Sequence, residues 1–224
     1  MRKLLYVPII HDQSDLGSLG PVLEKASSSY VGERRWATHR EVLAAFWRAI
    51  ESFLDSVDAE TIRVYQDGLA AEGELGRKVV EEAARRGSNN HRILLGLMAR
   101  GAEIRKTEDI SLLLEEGRQL LRATQGGSVG GSVYDQGEFP RQKDQLTDQR
   151  DRFVAKQING TLRQGETGVL IMGADHDVLP HLAEDIIVVS VKEREKVRAY
   201  FQELVAGHDE AKLEGLGRYL ASPV

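Results

Sequence analysis

Three observations predict an α/β fold with a largely parallel, five-stranded central sheet flanked by helices. Five short apolar runs are rich in β-branched residues, helix-period patterns fill the gaps between them, and the gaps are long enough for crossovers. The strand runs are Leu4–Ile10, Ile62–Tyr65, Ala102–Arg105, Val169–Met172 and Ile186–Val191. The first, fourth and fifth are almost continuously apolar, as strands covered on both faces are. The second and third are weaker and belong nearer an edge. The 224 residues suit a single domain. We assign residues 1–206 to the α/β core and residues 207–224 to a C-terminal helical extension packed on it.

The helices follow in order. Thr38-His39-Arg40-Glu41 has the form of a capping box, and Val42, Phe46, Ala49, Ile50, Phe53 and Val57 then mark one helical face. Leu75, Val79 and Ala83 describe a second helix, with Gly87 as its stop. Asn89 or Asn90 caps a third, whose inner face is Ile93, Leu94, Leu97 and Met98. Residues Ile110 to Leu121 form a fourth, and Leu146, Phe153, Val154, Ile158 and Leu162 mark a fifth. Val197 to Val205 and Leu213 to Leu220 supply the last two. The Gly/Ser-rich run Gln125–Ser132 opens a loop reaching Pro140, which reads as a lid over Gly126–Gly131. It lacks the Lys-Ser/Thr of a phosphate-binding loop.

Composition narrows the function. There are 30 Lys plus Arg against 35 Asp plus Glu, so a broad basic field for nucleic acid is not expected. There is no cysteine, which removes thiolate ligands, disulfides and cysteine nucleophiles. No stretch approaches the ~20 apolar residues of a membrane span. The apolar start is short and runs into Asp12 and Asp15, so it reads as a strand and not as a signal peptide. A cytoplasmic protein is the expectation.

Ligands of open α/β sheets bind beyond the carboxyl ends of the strands. There the chain places His11 and Asp12, then Gln66 and Asp67, then Thr107, Glu108 and Asp109, then Gly173, Asp175, His176 and Asp177. Two His-Asp pairs follow the two most apolar strands. Imidazole and carboxylate can hold a divalent ion, or act as general base and orienter without one. The same residue types also cap helices and fill turns, and Glu108 and Asp109 suit the start of the following helix. Arg150, in Gln149-Arg150-Asp151-Arg152, fits either a surface ion pair or a bidentate grip on an anion.

The chain resembles the superfamily that joins erythromycin esterases, ChaN-like haem-binding proteins, TraB/PrgY proteins and the Tiki metalloproteases. The resemblance rests on Pro8-Ile9-Ile10-His11, Asp67 after the second strand, Arg150-Asp151-Arg152-Phe153-Val154-Ala155, and Gly173-Ala174-Asp175-His176. Proline stands where the family has the glycine of its first Gly-x-x-His, Asp67 stands near the usual glutamate, and Val154 replaces a methionine. The resemblance implies a hydrolase, metal-assisted or not, acting on a small-molecule or peptide substrate and needing neither nucleic acid nor membrane. It implies catalytic roles for His11, His176, Asp67 and Arg150, and substrate contacts from Asp12, Asp177, Gly173 and Gln66. His11, His176 and Asp67 would hold a divalent zinc, manganese or iron ion. The alternative is a catalytically inactive protein that keeps the scaffold to bind an anionic metabolite or haem.

Overall fold

The computed structural model describes residues 1–11, 20–125 and 138–224. Its core is a five-stranded sheet of order β3-β2-β4-β1-β5, with every neighbouring pair parallel. The strands are β1 (Arg2–Ile9), β2 (Ile62–Gln66), β3 (Glu103–Arg105), β4 (Thr167–Gly173) and β5 (Ile186–Ser190). All five were legible as apolar runs. The position of β5 was not: it is an edge strand, with Ile187 and Val189 exposed. An apolar run marks a strand, but only packing of its far side marks an interior one.

Helices cover both faces. Leu5, Val7 and Ile9 alternate with Leu4 and Tyr6 along β1, so each set enters a different core. On one face lie α2 (Glu33–Asp55), α3 (Gly73–Arg85), α4 (Asn89–Ala99), α7 (Arg194–Ala206) and α8 (Glu210–Ala221). Phe46, Trp47 and Ile50 of α2 pack there with Leu94, Tyr200 and Leu220. On the other face α6 (Glu138–Thr161) presents Val154, Ala155 and Ile158, with Leu162 just past its end, to Tyr6, Tyr65, Leu170 and Met172. Two further helices are α1 (Gly20–Val31) and α5 (Ile110–Gln125).

Several local expectations shift. The helix expected from Thr38 begins at Glu33, after Gly32 at φ 94°. Thr38 caps nothing; its hydroxyl donates back to the Arg34 carbonyl, 3.3 Å away. Helix α1 had no counterpart in the sequence reading. The cap of α4 is Ser88, one residue before the expected asparagines. Helix α6 starts at Glu138, so Pro140 lies in its first turn, where a missing N–H costs nothing. Gly87, at φ 98°, does close α3, as expected. The lid expected at Gly126–Gly131 lies outside the described residues. Within residues 207–224 lies α8, whose Leu213 and Leu220 belong to the main core. Lys192 ties the end of α8 down: its buried Nζ donates to the carbonyls of Tyr219 and Ser222 at 3.2 and 2.7 Å.

Chain direction sets the site. β2 and β3 step away from β1, and β4 then returns to insert between β2 and β1. The carboxyl ends of β3, β2, β4 and β1 therefore lie side by side on one rim.

Candidate active site

Four of these strand ends contribute a titratable side chain, and α6 contributes two. Arg150 and Asp151 lie one turn before Val154 and Ala155, the residues that seat α6 on the sheet. Residues four apart share a helical face. The seated face thus carries both polar side chains inward, over the carboxyl rim.

Asp67 is the hub. Its Oδ1 accepts from Arg150 Nη2 at 2.9 Å, and its Oδ2 accepts from the Gly173 amide at 3.1 Å. The same Oδ2 meets His11 Nε2 at 3.0 Å and lies 3.9 Å from His176 Nε2. Its side chain is almost wholly buried. Burial pushes the Asp67 carboxyl up, but the His11 hydrogen bond and the charges of His176, His11 and Arg150 outweigh it. The group is held far below the ordinary carboxylate range.

His176 is oriented from behind. Its Nδ1 lies 2.6 Å from Asp151 Oδ1, while Asp151 Oδ2 accepts the Asp177 amide at 2.7 Å. An ionised carboxylate only accepts, so Nδ1 carries the hydrogen and Nε2 is turned toward Asp67. Burial lowers the His176 pKa, but the Asp151 hydrogen bond and the Asp67 charge raise it by more, and the net shift is upward from 6.5. His11 is different: its side chain is about one-third exposed, at 34%, so it stands on the solvent side of Asp67.

Glu108 completes the cluster. It is fully buried, with both carboxyl oxygens 3.2 Å from Arg150 Nε and Oε1 2.5 Å from Nη2. Burial pushes its pKa up, and the Arg150 hydrogen bonds only partly oppose this.

Sequence reasoning reached His11, Asp67, Arg150 and His176, and the fold brings all four together. Arg150 is engaged by two buried carboxylates, a place from which it positions Asp67. Gly173 supplies an amide to Asp67, and space: a Cβ there would stand 2.9 Å from His11 Nε2. Gln66 is buried beneath the site, its Nε2 3.2 Å from the Asp67 carbonyl. Asp177 is exposed and its carboxylate pairs with Arg194. Asp12 lies outside the described residues. Sequence reasoning passed over Asp151, read within a surface charge run, and Glu108, read as the start of α5. Two signals mark Asp151: it stands beside Arg150 in the motif that carries the resemblance, and it precedes Ala155 by one turn.

Among the described residues no group of three His, Asp or Glu is placed to hold a divalent ion. Asp67 has both oxygens committed, and the fixed Arg150 charge lies 2.9 Å from it, where a second cation would be repelled. Beside α6 two open clefts of about 620 and 380 Å3 are lined by Arg152, Lys156, Asn159 and His181, and by Asp148, Asp151, Asp175 and Asp177 among others. No helix among the described residues is long and apolar enough to cross a membrane. The chain matches no protein-family model, no curated protein and no solved structure.

Proposed function

We propose that this chain is a hydrolase that uses general acid–base catalysis with water as nucleophile, on a scaffold distantly akin to the erythromycin esterase and ChaN-like superfamily. One observation carries the reading: a buried imidazole, fixed through Nδ1 by Asp151, turns Nε2 toward a carboxylate oxygen that also meets a second, solvent-facing imidazole. An imidazole so held has its second nitrogen in a defined place, which suits it to take and return a proton.

In this reading His176 Nε2 takes a proton from water as the oxygen attacks the acyl or phosphoryl centre. It then returns that proton to the leaving group as the scissile bond breaks. Asp67 stabilises the imidazolium formed in between. His11, on the open side, contacts the substrate through its ring. Arg150 and Glu108 hold Asp67 in place. No step passes through a metal. In this reading the chain acts in the cytoplasm on a small-molecule or peptide substrate.

Purified protein assayed against aryl esters, amides and phosphate mono- and diesters tests this. Turnover of one class should fall by ~100-fold or more in His176→Gln with the fold intact. Turnover that survives the substitution would overturn the reading. No turnover, with thermal stabilisation by an anionic metabolite, would favour a non-catalytic binding protein.

A further inference from the structure

We propose that Arg194 is a positioning residue for His176, holding from α7 the turn that carries the imidazole; the inference rests on His176 being the proton-transfer group. The turn, residues 173–177, leaves β4 and is gripped from two sides. On the inner side Asp151 takes the His176 ring and the Asp177 amide. On the outer side Arg194 Nε donates to the Ala174 carbonyl at 2.9 Å, and Nη1 donates to Asp177 Oδ1 at 2.5 Å. One helical turn further, Arg198 Nε stands 3.5 Å from Asp175 Oδ1.

The two grips meet in Asp177, whose amide reaches Asp151 and whose carboxylate reaches Arg194. A planar guanidinium spans the carbonyl and the carboxylate with separate N–H groups, which an ammonium group cannot do in the same geometry. The residue's place in α7 points the same way. Arg194 is the first residue of that helix, the end where the dipole disfavours a cation. Glu193 and Glu195 beside it follow the local preference. Glu193 pairs with Lys196, not with Arg194. A cation set against its local preference yet doubly bonded across 17 and 20 residues has a tertiary task. Without it the turn loses its outer anchor, the Asp177 amide drifts from Asp151, and Nε2 loses its aim at Asp67.

Proton NMR of the full chain tests this. The Nδ1–H in the Asp151–His176 hydrogen bond should give a far-downfield resonance, assigned by its loss in His176→Gln. In Arg194→Gln, with circular dichroism unchanged, that resonance should move upfield or broaden away. The kcat should fall about tenfold or more, because small misplacements of a reacting group are costly. Arg194→Lys should restore part of both signals. Asp177→Ala cuts the same link without touching the start of α7, and should reproduce the effect if Arg194→Gln misfolds. A resonance and a kcat unmoved in both Arg194→Gln and Asp177→Ala would overturn the proposal. The hydrolase reading fails separately: a wild-type chain that turns over nothing, yet whose resonance depends on Arg194, leaves the positioning role standing.

Discussion

At the scale of single residues, Gly173 and Asp151 decide whether the histidines can act. Gly173 has a Cβ position 2.9 Å from His11 Nε2 and 3.3 Å from Asp67 Oδ2. Something must shift if that methyl is added, and His11 Nε2 is the nearest atom to it. Gly173→Ala should therefore push His11 off Asp67 and cut turnover about tenfold or more. The melting temperature should change little, and a crystal structure of the variant would show the lengthened contact. Asp151→Asn is subtler. Asp151 accepts from two donors, the His176 ring and the Asp177 amide. An amide side chain presents one acceptor and one donor, so one of those contacts becomes donor against donor. If the NH2 group faces Nδ1, the ring must carry its hydrogen on Nε2 and cannot act as base. Turnover should drop roughly 100- to 10,000-fold with the fold retained, as kcat measurements and circular dichroism would report. Linkage gives a further check. The raised His176 pKa contributes stability that is full below 6.5 and is lost as pH rises through the folded-state value. Depressed Asp67 does the reverse: its contribution is full above 3.8 and wanes as pH falls below it. Urea unfolding across pH should show His176→Gln flattening the decline above pH 6.5; a steeper decline would contradict the sign.

At the scale of elements, legibility in the sequence divided along contact range. Strands and most helices are written in local periodicity, and Leu4–Ile10 or Val169–Met172 needs no partner to be recognised. The rim position of His11, Asp67 and His176 followed from strand ends in a parallel sheet alone. Glu108 and Asp151 escaped because each looks ordinary beside its sequence neighbours. Glu108 precedes α5 and Asp151 sits among charges on α6, while their partners lie 42 and 25 residues away. The edge position of β5 escaped for the same reason. Helix α8 offers an elemental test. Its C-terminal carbonyls, at Tyr219 and Ser222, are met by the buried Lys192 ammonium, which also stands 5.2 Å from the Tyr219 ring centroid. Lys192→Met keeps the length but removes the donors, leaving the carbonyls unmet. We expect a loss of about 1–3 kcal/mol. Hydrogen exchange should rise first across Leu213–Ala221, ahead of the sheet. Equal protection in variant and wild type would show that Lys192 does not anchor the helix.

At the scale of the whole molecule, one reversal of strand order builds the site. Because β4 returns between β2 and β1, residues far apart in sequence are placed on adjacent strand ends. The cluster is then closed by α6 on one face and braced from α7 on the other. Both Asp67 oxygens are engaged by Arg150, the Gly173 amide and His11, so activity should persist after exhaustive dialysis against a chelator; a loss restored by zinc or manganese would contradict the reading of Asp67 as fully engaged. Behind the opposite face lies a second buried histidine with no part in that cluster. His39 on α2 packs between Trp36 and Tyr200, with Nδ1 3.2 Å from the Tyr200 hydroxyl. Burial pushes its pKa down to about 4, so it folds neutral. In the unfolded chain it takes a proton near 6.5. The unfolded state therefore gains relative stability as pH falls from 6.5 to about 4. A shift of that size corresponds to about 3 kcal/mol at the acid end. Acid unfolding should thus be led by the α2–α7 layer, while His176 and Asp151 still hold the rim. Urea unfolding at pH 7 and pH 4.5 measures it. His39→Gln should remove most of the acid-side loss, and an unchanged difference between the two pH values would place the acid sensitivity elsewhere.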